Sequence, residues 1–216
     1  MRTSRNFAAR GRVVFEEGPV PAIPFKQVRV SARPVDFDSA PMNGGPLRTS
    51  MNDDGTFEIR NLSGWCVIQP DIASADWSLK RVTAAGKDVT ETPIEFKDKD
   101  VDGIEVVLTA RNPTLAGSVL DERGRPVGNF SVIVFAVDPR RWTFPSRFVA
   151  LGRPNQQGRY KITGLPPDEY LAIALAPMTT TDWQDPEFLE GLRSFAQPVT
   201  LSEGEARTLD LRLRRQ

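Results

Sequence analysis

One short pattern, present twice, limits what this chain can fold into. It reads Asn52-Asp53-Asp54-Gly55-Thr56-Phe57-Glu58-Ile59-Arg60-Asn61-Leu62, then Asn155-Gln156-Gln157-Gly158-Arg159-Tyr160-Lys161-Ile162-Thr163-Gly164-Leu165. Each copy is a polar turn closed by Gly, a strand with large apolar residues two apart, and a second turn with Leu behind it. Phe57 and Ile59 fall on one face of an extended segment, and Thr56, Glu58 and Arg60 on the other. Tyr160 and Ile162 repeat this against Arg159, Lys161 and Thr163. Gly55 and Gly158 suit a left-handed turn position that a β-carbon would strain. A helix has no use for this period, so the expectation is β structure written twice.

The rest of the chain agrees with that reading. Residues 11–15 open a strand, 16–24 form a Pro-rich turn, and 36–46 form a loop of Asp, Ser, Pro, Asn and Gly. Between them Lys26 to Pro34 alternates, predicting Val28, Val30 and Ala32 inward with Arg29, Ser31 and Arg33 outward. Residues 47–51, 66–72, 77–82, 94–96 and 104–109 read as further strands, with Ala85-Gly86-Lys87 as a tight turn. After the stiff link Arg111-Asn112-Pro113 the order starts again. Residues 115–120 align with 9–14, 130–137 with 27–34, 170–176 with 66–72, and 209–213 with 104–108. A repeat of about 105 residues is a duplicated domain, too long for a solenoid unit. The expected domains are 7–111 and 113–216. One segment has no counterpart: Asp185 is a helix N-cap with Pro186 first in the helix, and Phe188, Leu189, Leu192 and Phe195 share a face. That short helix is expected to lie across an end or a face of the second sandwich.

Composition removes several functions. The 28 basic and 28 acidic residues cancel, which argues against a nucleic-acid partner. There is no His in 216 residues, so Ser–His and Cys–His nucleophiles and His-ligated zinc are excluded together. Carboxylate pairs could hydrolyse glycosides, but no spacing singles one out. Cys66 is the sole cysteine; beside Trp65, Val67 and Ile68 it reads as a buried structural thiol. No apolar run reaches the ~18 residues of a membrane span, so membrane insertion is not expected. The first residues carry no apolar core of a signal peptide, which fits either a piece of a longer precursor or a cytosolic chain. No cofactor is called for.

Several motifs together resemble the carboxypeptidase regulatory-like domain. They are Gly-x-Val at a strand start, the turn Asp121-Glu122-Arg123-Gly124-Arg125-Pro126-Val127, the repeated Gly-x-[Phe/Tyr]-x-Ile segments, and Pro167-Asp168-Glu169-Tyr170. The first copy departs from the pattern at residues 16–21, where a Glu- and Pro-rich stretch replaces the turn. The resemblance implies an all-β chain of two tandem seven-stranded prealbumin-like or Ig-like β-sandwich domains, related to transthyretin-like, Cna-B-type and carbohydrate-binding-like folds. It also implies a non-catalytic accessory of a bacterial envelope or secreted protein, outside the cytoplasm, acting as a spacer or a protein-interaction module. Cna-B relatives can carry Lys–Asn isopeptide bonds. None is expected here, because neither closing strand holds Asn and the second copy has only Lys161.

Two places could hold a ligand. The loop 138–148 gathers Arg140, Arg141, Trp142, Phe144 and Arg147; Trp faces stack on sugar rings and Arg pairs with carboxylates. This supports an alternative function, carbohydrate binding, with a polysaccharide partner in place of a protein. The bland reading is that Trp142 or Phe144 caps the sandwich against Trp183 and the helix. Asp98, Asp100 and Asp102 before Gly103 match the first half of a calcium loop, but the twelfth position is Thr109 and not Glu. The bland reading there is an acidic turn before the last strand.

Overall fold

The opening strand of each half carries a glycine because the backbone of another segment lies against it. In the computed structural model, which describes residues 7–18, 22–35, 47–143 and 146–214, a β-carbon on Gly11 would sit 2.0 Å from the Ile104 carbonyl oxygen. One on Gly117 would sit 1.9 Å from that of Leu209. The expected loop 36–46 and part of the turn 16–24 lie outside the described residues, as does Phe144.

The chain divides into two compact units, Met1–Ala110 and Arg111–Gln216. In unit 1, β1 (Phe7–Phe15) runs antiparallel to β4 (Thr56–Leu62) and parallel to β9 (Val101–Thr109). With β6 (Ser78–Ala84) and β7 (Lys87–Asp88) they form a sheet ordered β4-β1-β9-β6-β7. The other layer is β3-β2-β5-β8, built from β2 (Val28–Pro34), β3 (Leu47–Ser50), β5 (Gly64–Ile72) and β8 (Ile94–Phe96). Between the layers lie Val30 and Ala32 of β2, Phe57 and Ile59 of β4, and Val106 and Leu108 of β9, all at most 3% exposed. Each such side chain contributes about 1.5–3 kcal/mol of transfer free energy, which is why alternation decides which way a strand faces.

Unit 2 repeats the pairing. β10 (Thr114–Leu120) lies antiparallel to β13 (Arg159–Thr163) and parallel to β16 (Ala206–Thr208) and β17 (Leu211–Arg214). β11 (Ser131–Ala136), β12 (Val149–Gly152), β14 (Asp168–Leu175) and β15 (Gln197–Leu201) complete it, and β17 joins the layers by also pairing β14. The two backbone bonds of the organising turns match. Asn52 N–H donates to Thr56 O at 2.9 Å and Gly55 N–H to Asn52 O at 3.0 Å; Asn155 to Arg159 and Gly158 to Asn155 measure 2.8 and 3.0 Å. Gly55 and Gly158 sit at φ of 80° and 69°, as their turns require.

The all-β sandwich fold expected from the sequence is the one observed, with α1 (Pro186–Leu192) its one α-helix among the described residues. Asp185 caps it, accepting from the Glu187 amide. One alignment is corrected. Tyr170 pairs with Ala136, while its counterpart Cys66 pairs with Pro34, so Ala136 and not Val137 answers to Pro34. β11 is a continuous apolar run buried on both faces, so it offers no alternation to set the register. Ser31 lies on the outer face with Arg29 and Arg33, as expected, but is 7% exposed, its hydroxyl donating to Gln69 O. No helix among the described residues is long and apolar enough to cross a membrane.

Candidate functional site

The loop 138–148 is built from its own charges and rings. Asp138 caps the 3₁₀ turn Pro139–Arg141 by accepting from the Arg140 amide, and the Arg140 guanidinium returns to the same carboxylate at 2.8 Å. This bonding pulls the Asp138 carboxyl down to about 2. Arg141 pairs with Asp168, at the start of β14, and lies 4.5 Å above the Phe148 ring. Arg147 lies over the same ring at 5.2 Å. Arg141 and Arg147 therefore converge on Phe148, which is 5% exposed.

Trp142 itself offers no open face in this loop. It is 2% exposed, its Nε1–H donates to Ala136 O at 2.7 Å, and its ring meets Phe135 edge-on at 5.4 Å. No ring face is left for a sugar. The gap among Trp142, Ser146, Val149, Trp183 and Gln184 measures about 10 Å³, at most one water.

The neighbouring strands explain why Trp142 is buried. Val132 and Val134 of β11 face the core, since Gly152, paired with Val132, lies tightly against Ile162. Ile133 and Phe135 point to the opposite, outer face, beside Leu171, Ile173 and Leu175 of β14. All of them are buried. The residues after β14 run over that face: Met178 N–H donates to Ser131 Oγ at 3.0 Å and Arg193 Nη2 to Val137 O at 3.2 Å. Trp142, Trp183 and α1, with Leu189 0% exposed, thus form a lid on the sheet. The sequence did carry a signal for it. The apolar runs 132–136 and 171–176 are too continuous for a sheet with one wet face.

The acidic stretch bonds to the strand beside it. Asp100 accepts the Ala8 amide and Arg10 Nη1, both at 2.9 Å; Asp102 accepts the same nitrogen at 3.1 Å, and Glu58 takes Arg10 Nε at 2.7 Å. The Ala8 amide, then Arg10, hold the Asp100 carboxyl below its usual range. These side chains clamp β1 to β9 where their register shifts, between Ala9 and Gly11. No group of three or more Asp, Glu, Cys or His among the described residues is placed to hold a metal ion.

Cys66 is 1% exposed, and burial pushes its thiol up to about 11, away from nucleophilic use. The residue that sequence reasoning missed is its neighbour Trp65, which alternation turns outward to 52% exposure. Val35 is 53% exposed, and its amide donates to Trp65 O at 2.9 Å. Arg33, Val67 and Glu95 share this outer face of β2, β5 and β8. Arg33 Nε is buried without a hydrogen-bond partner among the described residues.

Solved structures similar to this chain include the Bacillus anthracis TIE protein, at 12% identity over 98% of this chain and 34% of that one, TM-score 0.31. A streptococcal ancillary pilin is 14% identical over 99% of this chain and 64% of that one, TM-score 0.36. The minor pilin GBS52 of Streptococcus agalactiae is 11% identical over 95% and 94%, TM-score 0.36. The chain thus spans only part of the first two. Likenesses of this size are silent on what it binds. No protein-family model and no curated protein matches the chain.

Proposed function

We propose that the chain is a non-catalytic accessory of a bacterial envelope or secreted protein, working as a spacer or protein-interaction module outside the cytoplasm. In this reading it is one sandwich frame written twice, over residues 7–111 and 113–216. One observation carries it: the loop richest in binding-type residues has a buried Trp142, and Arg140 and Arg141 each paired to a carboxylate. The buried ring stabilises the fold and offers no stacking face, and each arginine already has a carboxylate partner. The family resemblance of the sequence supports the compartment.

The test is a titration of the whole chain with a panel of polysaccharides, read by Trp fluorescence. Assays with ester, peptide and glycoside substrates accompany it. No saturable change and no turnover are expected. Saturable glycan binding lost in Arg147→Ala, or turnover above background, overturns the reading.

A further inference from the structure

We propose that the outer face of β2, β5 and β8 is a self-association surface that takes a second copy of this chain, packed sheet to sheet. The proposal rests on the protein-interaction reading above and names its surface and partner. Three observations meet there. Trp65, Val35 and Val67 form an apolar centre with two of the three more than half exposed, the composition of an interface anchor. Arg33 beside them is half-buried on the same face, its Nε without a hydrogen-bond partner among the described residues. Glu95, directly opposite Trp65 on β8, is exposed and in no ion pair among the described residues.

Arg33 and Glu95 flank β5 from its two sides, two strand spacings or about 10 Å apart, with Trp65 and Val67 between them. A twofold axis along β5, in the plane between two stacked sheets, lays β5 on β5 and β2 of each copy over β8 of the other. Trp65 then meets Trp65, and each Arg33 faces the partner's carboxylate at Glu95. One surface supplies both halves of every contact, as an isologous interface demands. Unit 2 offers the internal precedent: the outer face of its β11 and β14 is buried, under residues of the same chain.

Sedimentation velocity of the whole chain over a wide concentration range tests this. The weight-average mass is expected to climb toward twice that of the chain. Trp65→Ser is expected to weaken association at least about tenfold, while Phe195→Ser, at an equally exposed ring in unit 2, leaves it unchanged. Glu95→Arg alone should weaken it, and R33E/E95R together should restore it. Thermal melts verify folding, and the exposed Glu95 keeps the test sharp if R33E does not fold. A chain that stays monomeric throughout, or a dimer indifferent to W65S and E95R, overturns the proposal. Either outcome also covers a different occupant of this face. The glycan and turnover assays do not depend on the result, so the two failures are distinguishable.

Discussion

The outer face of β11 and β14 and the outer face of β2 and β5 hold the same place in their sandwiches and have opposite chemistry. In unit 2 it carries Ile133, Phe135, Leu171, Ile173 and Leu175, all buried beneath Trp142, Trp183 and α1. In unit 1 the register puts Ser31, Arg33, Val67, Gln69 and Asp71 in those positions. One frame therefore tolerates either an apolar face with a lid or a mixed polar face open to solvent. What differs is the alternation of two strands and the presence of the segment 176–196. A bulky ring has meaning only with its face: Trp142 is structure and Trp65 is surface.

The widest gap between the two units should appear when each tryptophan is removed. Trp142→Ala is expected to cost about 3–5 kcal/mol, through the lost ring contacts and the orphaned Ala136 carbonyl. Trp65→Ala should stay within about 0.5 kcal/mol. Denaturant unfolding of the two variants measures both; equal costs would break the comparison. The shared frame is tested by Gly11→Ala and Gly117→Ala. Each places a methyl about 2 Å from a backbone oxygen, of Ile104 in β9 or of Leu209 between β16 and β17, and each is expected to cost about 3 kcal/mol. If one unit absorbs the change, the two frames are not equivalent.

A smaller effect sharpens a chemical difference at one shared position. Tyr160 occupies the place of Phe57, and its hydroxyl donates to Leu209 O at 2.7 Å. Tyr160→Phe makes unit 2 resemble unit 1 and should cost about 1 kcal/mol in the same unfolding experiment.

The smallest effect is local and depends on pH. Asp138 titrates at about 2 in the folded chain, against an ordinary 3.8, because Arg140 holds its charged form. Its contribution is complete above the unfolded value and is lost as pH falls through about 2. The amide of Arg140, read by NMR, should move in that window and stay still above it. Arg140→Ala should bring the transition back toward 3.8.

Much of this was legible in the sequence, and the limits have physical causes. Phe57, Ile59, Tyr160 and Ile162 were placed inward by period alone, and Gly55 and Gly158 by turn chemistry. Asp185 and Pro186 marked the start of α1. Alternation fails as a guide where both faces are dry, so β11 was aligned one residue out. β12 and β16 are short. β15 carries Pro198, which a strand pattern disfavours. The role of Trp142 depends on what covers Phe135, a long-range fact that the string Arg140-Arg141-Trp142 does not contain. Trp65 was hidden by Cys66: a buried thiol suggested a buried neighbour, while the strand period turns adjacent residues to opposite sides.

Hydroxyl-radical footprinting of the chain in dilute solution, with the oxidation of each tryptophan resolved by mass spectrometry, tests the contrast most directly. The account predicts that Trp65 is oxidised many times faster than Trp142, with Trp183 between them. Trp142 reacting as fast as Trp65 would contradict it.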